Sequence, residues 1–405
     1  MQEEFYAAAE KILSDLYNLF SKDPKLKSFE ILPVVQIENK SPIHVEENCL
    51  ALESWCVPHI YCYAYKNLMN HRQIKGKLRD VEKCNTLLIG ALLLNPDITT
   101  FWNMRKELIR SGKLDPYFDL HFTSVILTFK PKCADLYSFR KWILKHLVHD
   151  LRNDINLYEN EIQICEAAAD RYSNNYHAWT HRIWCLTQSL PSSLQREWAT
   201  SMKWVQRHVS DYSGFHYRQK LITFLLSYID CMSYDHEVIK LILFSVDEAT
   251  EGFLHNFKTY DLTAQTIPLA LKIFIYELSL NSDLIWNFVG HEALWCHRRF
   301  IFHEIKRLLL DSNCSKYWGR IDVSSPTDGT PPEKTPKIGK QSVDSEFSLI
   351  LSIYEDMFLA KCSNEREPRQ MFYANKHKQW LAKFSKFRLS LNEERDNSVF
   401  RVSNT

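Results

Sequence analysis

The stretch Asn175-Tyr176-His177-Ala178-Trp179-Thr180-His181-Arg182 places an aromatic and an arginine three residues apart behind a short polar residue, the pattern of a capped helix presenting one side. The same spacing returns at Trp102-Asn103-Met104-Arg105, Tyr137-Ser138-Phe139-Arg140, Phe215-His216-Tyr217-Arg218 and Trp295-Cys296-His297-Arg298. Six and seven residues past each aromatic stand Leu108/Ile109, Ile143/Leu144, Cys185/Leu186, Leu221/Ile222 and Ile301/Phe302. With the aromatic and the arginine, these offsets gather toward one side of a helix. The aromatics are separated by 35, 42, 36 and 80 residues, the last about two periods of 40. Periods of this length belong to solenoids of helix pairs, in which no pair buries its apolar face alone and each stacks on its neighbours. The predicted fold is all-α, an α-α superhelix of five or six helix pairs, with one degenerate pair filling 235–280.

The recurring residues read mainly as structural. The aromatics fill gaps between helices, and the guanidinium groups bond helix-end carbonyls or neighbouring carboxylates. Outside the repeats, 1–80 reads as an N-terminal helical region containing Glu53-Ser54-Trp55, and 81–310 holds the repeats. Segment 311–345, rich in Ser, Thr, Pro, Lys and Asp, reads as a disordered insertion. A helical cap over 346–390 and a loose tail over 391–405 follow.

Bulk properties exclude several classes. Fifty basic residues against 49 acidic ones leave a net charge of +1, so nothing draws the chain as a whole to nucleic acid or anionic lipid. The longest strongly apolar run, Leu87 to Leu94, is far short of the roughly 20 residues that span a bilayer. The start, Met1-Gln2-Glu3-Glu4, has no signal-peptide pattern, Gln2 stands where myristoylation requires glycine, and the end carries no prenylation box. Eleven cysteines without any Cys-x-x-Cys then point to reduced thiols and a cytoplasmic location. Only 9 glycines occur and no Gly-x-Gly, so phosphate-cradling loops are not expected.

Chemistry-bearing candidates are few. Five residues before the aromatics stand Asp97, Lys132, Asn174, Ser210 and Gly290. Four suit a helix N-cap; a lysine there opposes the macrodipole by roughly 0.3 to 1 kcal/mol. Lys132 is therefore either an exposed lysine beside a turn or a residue placed for function. The pairs His177/His181 and His291/His297 lack the carboxylate or thiolate set that completes a metal site, so no metal is expected on this chain.

The five units resemble the repeats of protein prenyltransferase α subunits, which read roughly Asn-Tyr-x-x-Trp-x-x-Arg followed by an apolar stretch. Glu53-Ser54-Trp55-Cys56, His208-Val209-Ser210-Asp211 and Gly290-His291-Glu292 are similar to motifs of a divergent branch, the α-subunit repeat-containing proteins. The resemblance implies a crescent of helix pairs around a β subunit, here of the Rab geranylgeranyltransferase kind. That partner would carry the zinc and the isoprenoid cavity, with geranylgeranyl diphosphate as donor and Rab or SNARE proteins as acceptors. Lys132 matches the second-unit lysine that faces the isoprenoid diphosphate, which implies a catalytic role. Tyr176 and His177 match third-unit residues near the same cleft. Asp135 stands where farnesyl-type subunits hold a substrate's terminal carboxylate with glutamine, so acceptor choice through a free CaaX terminus is not expected. Tyr137 and Phe215, where tryptophan is usual, read as packing adjustments. The alternative function is a non-enzymatic helical scaffold that binds a peptide or protein on its concave face.

Overall fold

The computed structural model describes residues 2–34, 41–73, 80–147, 155–189, 191–231, 237–258, 260, 262–310, 340–364 and 367–384. They form two compact units, Met1–Leu190 and Pro191–Thr405.

The first unit opens with α1 (Gln2–Lys22), then three strands, β1 (Ser28–Leu32), β2 (Ile43–Glu46) and β3 (Cys49–Glu53), and α2 (Val57–Gln73). The strands were not foreseen. They form one sheet in the order β1-β3-β2, with β1 parallel and β2 antiparallel to β3. Leu50 and Leu52 alternate inward on β3, and Glu47 and Asn48 both take positive φ in the β2–β3 turn, as a two-residue I′ hairpin requires. Glu53 ends β3 buried, accepting from Trp55 Nε1 at 2.6 Å with His44 Nε2 2.9 Å away. The Glu53-Ser54-Trp55 motif is thus a local clasp.

Three helix pairs follow: α3 (Val81–Leu94) with α4 (Thr99–Arg110), α5 (Pro116–Phe129) with α6 (Ala134–Leu147), and α7 (Ile155–Arg171) with α8 (Tyr176–Leu186). Asp80 caps α3 by accepting from Lys83 N at 2.9 Å, and Asp115 caps α5, where Pro116 supplies the preset φ of a first turn. Gly90 of α3 lets α1 approach closely; a Cβ there would lie 1.9 Å from Leu13 Cδ2.

The second unit contains α9 (Pro191–Arg207), α10 (Tyr212–Cys231), α11 (Glu237–His255), α12 (Leu269–Asn287), α13 (Glu292–Leu310), α14 (Lys340–Ser363) and α15 (Pro368–Phe384). The residues expected as a disordered insertion lie outside the described set over 311–339, but α14 already begins at Lys340. The tail over 391–405 is also outside it.

All ten apolar residues six and seven positions past the aromatics are buried. The repeat arginines do more than fill space. Each of four reaches back to the first helix of its own pair and forward to a carboxylate on the first helix of the next. Arg105 bonds Asn85 (2.9 Å) and Asp119 on α5 (2.5 Å). Arg140 bonds Leu120 O and Thr123 Oγ1 (both 2.6 Å) and both oxygens of Glu161 on α7. Arg218 bonds Trp198 O and Ser201 Oγ (both 2.8 Å) and Glu277 on α12 (2.8 and 2.9 Å). Arg298 bonds Ser282 (2.9 Å) and Glu355 on α14 (2.9 and 2.5 Å). Arg182, also buried, bonds Glu166 at 3.2 Å.

The residue before the arginine closes the clamp from the other side. His181 Nε2 lies 3.0 Å from Glu161 and His297 Nε2 3.0 Å from Glu277, whereas the Tyr217 hydroxyl donates to Glu197 on α9, an acid other than the Glu277 that Arg218 bonds. His377 on α15 brings Nε2 to 3.1 Å from Glu355, in the place His181 and His297 take in their pairs, so the C-terminal cap keeps the register of a degenerate sixth pair. Charge and hydrogen bonding win over burial at three of these acids. Burial pushes their carboxyls up, but the facing arginine and histidine hold Glu161, Glu277 and Glu355 at about 2. In the second pair the closing position is Phe139, which has no donor. Asp119 Oδ2 accordingly lacks a hydrogen-bond partner among the described residues, and burial raises the Asp119 carboxyl.

This register corrects the expectation of a degenerate pair over 235–280. Arg218 of α10 clasps Glu277 of α12, so the fifth pair, α12 with α13, follows the fourth directly. The 80-residue spacing holds one repeat plus a single inserted helix, α11, packed on α9 and α12.

Candidate functional site

Lys132 occupies the turn between α5 and α6. Two side chains pin that turn through one carbonyl: the Tyr137 hydroxyl donates to Pro131 O at 2.8 Å and Asn175 Nδ2 donates to it at 2.7 Å. Trp102 Nε1 donates to Pro96 O, likewise six residues back, at 2.7 Å. Tyr137 therefore replaces tryptophan without losing the donor. Asn175 also accepts from Ala178 N at 3.1 Å, which makes it the N-cap of α8, after Asn174 has turned the chain with φ +54°.

The caps fall four residues before the aromatics, not five. Asn175 caps α8, Asp211 accepts from Gly214 N at 2.9 Å, and Ile98 precedes α4 without a side-chain cap. Asn174 and Ser210 precede their caps, and Asp97 precedes an uncapped start. Lys132 is likewise two residues outside α6, so it does not oppose a helix dipole from a cap position.

The Lys132 side chain is exposed, its ammonium 4.1 Å from the centre of the Tyr172 ring. Among the described residues no carboxylate lies within ion-pair distance of it. His177 lies parallel to Tyr137, ring centres 6.4 Å apart at 19°, and Tyr176, 53% exposed, meets His177 edge-on at 5.9 Å. Tyr137 thus links the Lys132 turn to the two third-pair candidates. Asp135 points elsewhere, both its oxygens 3.2 Å from Thr99 Oγ1 on α4. An exposed ammonium on an aromatic face, with no carboxylate beside it among the described residues, is suited to meet an anion. Tyr172 and Thr99 were missed in the sequence because neither belongs to a recurring motif.

The histidine pairs separate. His177 packs on Tyr137 while His181 turns inward to Glu161; His291 Nδ1 lies 2.6 Å from Ser210 Oγ while His297 turns to Glu277. Glu161, His181 and Cys185 do bring three ligand-type atoms within 4.8 Å of one another. Arg140 already occupies both Glu161 oxygens, and a second cation would be repelled there, so this group fits a buried ion pair and not a metal site. In the second unit the motifs at Ser210 and Gly290-His291-Glu292 adjoin: Tyr212 OH donates to Glu292 at 3.0 Å and Lys376 Nζ at 2.8 Å.

The protein prenyltransferase alpha subunit repeat family matches residues 158–189 and 194–225, spanning α7–α8 and α9–α10. A human protein, protein prenyltransferase alpha subunit repeat-containing protein 1, is 30% identical over 95% of this chain and 98% of its own length. The chain belongs to this family of prenyltransferase α-subunit repeat-containing proteins. A Xenopus laevis member, protein prenyltransferase alpha subunit repeat-containing protein 1-A, is 35% identical over 78% of this chain and 76% of its own. Outside the repeat-containing family, geranylgeranyl transferase type-2 subunit alpha of Saccharomyces cerevisiae is 24% identical over 57% of this chain and 76% of its own length. The matched segments hold the aromatic and arginine of the third and fourth pairs, Trp179 with Arg182 and Phe215 with Arg218. Among the described residues no helix is long and apolar enough to cross a membrane.

Proposed function

We propose that the chain is the α-type subunit of a heterodimeric protein geranylgeranyltransferase, inactive alone. Its partner is a β subunit of the Rab geranylgeranyltransferase kind, its donor is geranylgeranyl diphosphate, and its acceptors are cysteines of trafficking proteins such as Rab or SNARE proteins. The observation that carries the reading is the exposed Lys132, without a carboxylate partner among the described residues, on its doubly pinned turn, in a chain with distant likeness to a geranylgeranyl transferase α subunit. Buried thiols outside any disulfide at Cys84, Cys133 and Cys185 support a cytoplasmic setting.

In this reading, zinc and the activation of the acceptor thiol belong to the partner. As the carbon–oxygen bond to the diphosphate breaks and the carbon–sulfur bond forms, negative charge grows on the leaving group. Lys132 stabilises that charge from a fixed position, a contribution typically worth about 10² to 10³ in rate. Tyr176 and His177 line the approach. Asp135 keeps an acid where a substrate carboxylate would otherwise bind, which disfavours short CaaX peptides. Coexpression with candidate β subunits tests the proposal: a stable heterodimer that transfers geranylgeranyl to Rab or SNARE acceptors is expected. A monomer that neither copurifies with a β subunit nor alters transfer would instead support a scaffold.

A further inference from the structure

Tyr172 lies on the loop after α7, outside every motif that named the candidate site. Its ring is 52% exposed and faces the Lys132 ammonium at 4.1 Å. The two come from different helix pairs, yet one residue sets their separation. Asn175, three residues after Tyr172, caps α8, bonds Ala168 O at 3.2 Å in the last turn of α7, and bonds Pro131 O next to Lys132. Asn174 at φ +54° fixes the bend between Tyr172 and Asn175.

A free lysine side chain samples many rotamers, and holding it costs entropy. The negative face of a tyrosine ring attracts the ammonium and limits that sampling without neutralising the charge, which a carboxylate would do. The same ring face repels an anion, so an anionic ligand must approach Lys132 from the side away from Tyr172. We infer that Tyr172 is a positioning residue: its ring face holds the Lys132 ammonium poised, charged and open on one side for the diphosphate of the isoprenoid donor. This rests on the function proposed above.

Two readouts test it. In the full chain carrying ¹³C-dimethylated lysines, the Lys132 methyl resonance, identified by its loss in Lys132→Ala, is expected to be displaced upfield by the Tyr172 ring current. Tyr172→Phe keeps that displacement and Tyr172→Leu abolishes it. In the heterodimer, Tyr172→Leu lowers single-turnover geranylgeranyl transfer about two- to fivefold, the size of an exposed cation–π contact. Tyr172→Phe restores the rate, and Tyr172→Leu adds nothing to Lys132→Ala. A Lys132 resonance at the free-lysine position, or Tyr172→Phe as impaired as Tyr172→Leu, overturns the inference. So does an undiminished rate in Tyr172→Leu when Lys132→Ala is slow, and that result leaves the proposed function standing. If Lys132→Ala is itself undiminished, the diphosphate role falls for both residues, whatever the resonances show.

Discussion

Glu161→Ala should be among the most damaging single changes in the first unit. Three bonds from two side chains end on this carboxylate: Arg140 Nε at 3.0 Å, Arg140 Nη2, and His181 with Nε2 at 3.0 Å. Arg140 and Glu161 are 1% and 2% exposed, so removing the acid leaves a guanidinium with little water to turn to. Breaking such a pair from one side typically costs about 3 to 5 kcal/mol. Arg140 keeps Leu120 O and Thr123 Oγ1, which places the expectation in the lower half of that range. Replacing both partners of a buried pair with apolar residues of similar size is often near neutral, so Arg140→Met combined with Glu161→Leu should recover part of the loss, the remainder being the buried His181 left without its acceptor. Urea unfolding of the full chain, followed by circular dichroism, measures the shift in midpoint, and hydrogen exchange places it in α6 to α8. If Glu161→Ala cost no more than Glu107→Ala on the exposed face of α4, or if the double variant were worse than the single, the clamp would not be holding the pairs together.

Further expectations follow from the same contacts. Glu161, Glu277 and Glu355 are held at about 2, below their ordinary 4.5, so their contribution is full above about pH 4.5 and lost as pH falls toward 2; acid unfolding should be steep in that window, and less so in Glu277→Gln. Asp119 is shifted the other way by burial, so its ionisation weakens the fold as pH rises above 3.8, and Asp119→Asn should cost less than Glu161→Gln in the same urea assay. Gly214→Ala would set a methyl 2.1 Å from the Trp204 ring, and a loss of about 1 to 3 kcal/mol is expected from that overpacking; an unchanged thermal midpoint would contradict it.

The helix pairs were legible because each stacking contact recurs at a fixed offset. Aromatic, arginine and the two following apolar residues repeat five times, and the structure buries the +6 and +7 positions throughout. The clamps were half legible: the arginines stood out, but Asp119, Glu161, Glu277 and Glu355 lie on the partner helices at variable distances along the chain. The sheet escaped because its strands are four or five residues long and its turn uses Glu47-Asn48 in place of the glycine that usually marks an I′ hairpin. The sixth pair was hidden because Asn375 and Lys378 stand where the aromatic and arginine would be, leaving only His377 to mark the register. At the candidate site, Lys132 drew attention as a broken cap, whereas the structure shows a residue before the helix, displayed by a turn that Tyr137 and Asn175 pin. Tyr172 could not have been found by spacing, since only the folded turn brings its ring beneath the ammonium.

The most direct test is single-turnover geranylgeranyl transfer by the purified heterodimer carrying Lys132→Ala, with β-subunit binding measured alongside. Unaltered assembly with a rate lower by about 10²-fold to 10³-fold is the predicted result. Unaltered assembly with an unchanged rate would contradict the assignment of Lys132 to the leaving diphosphate.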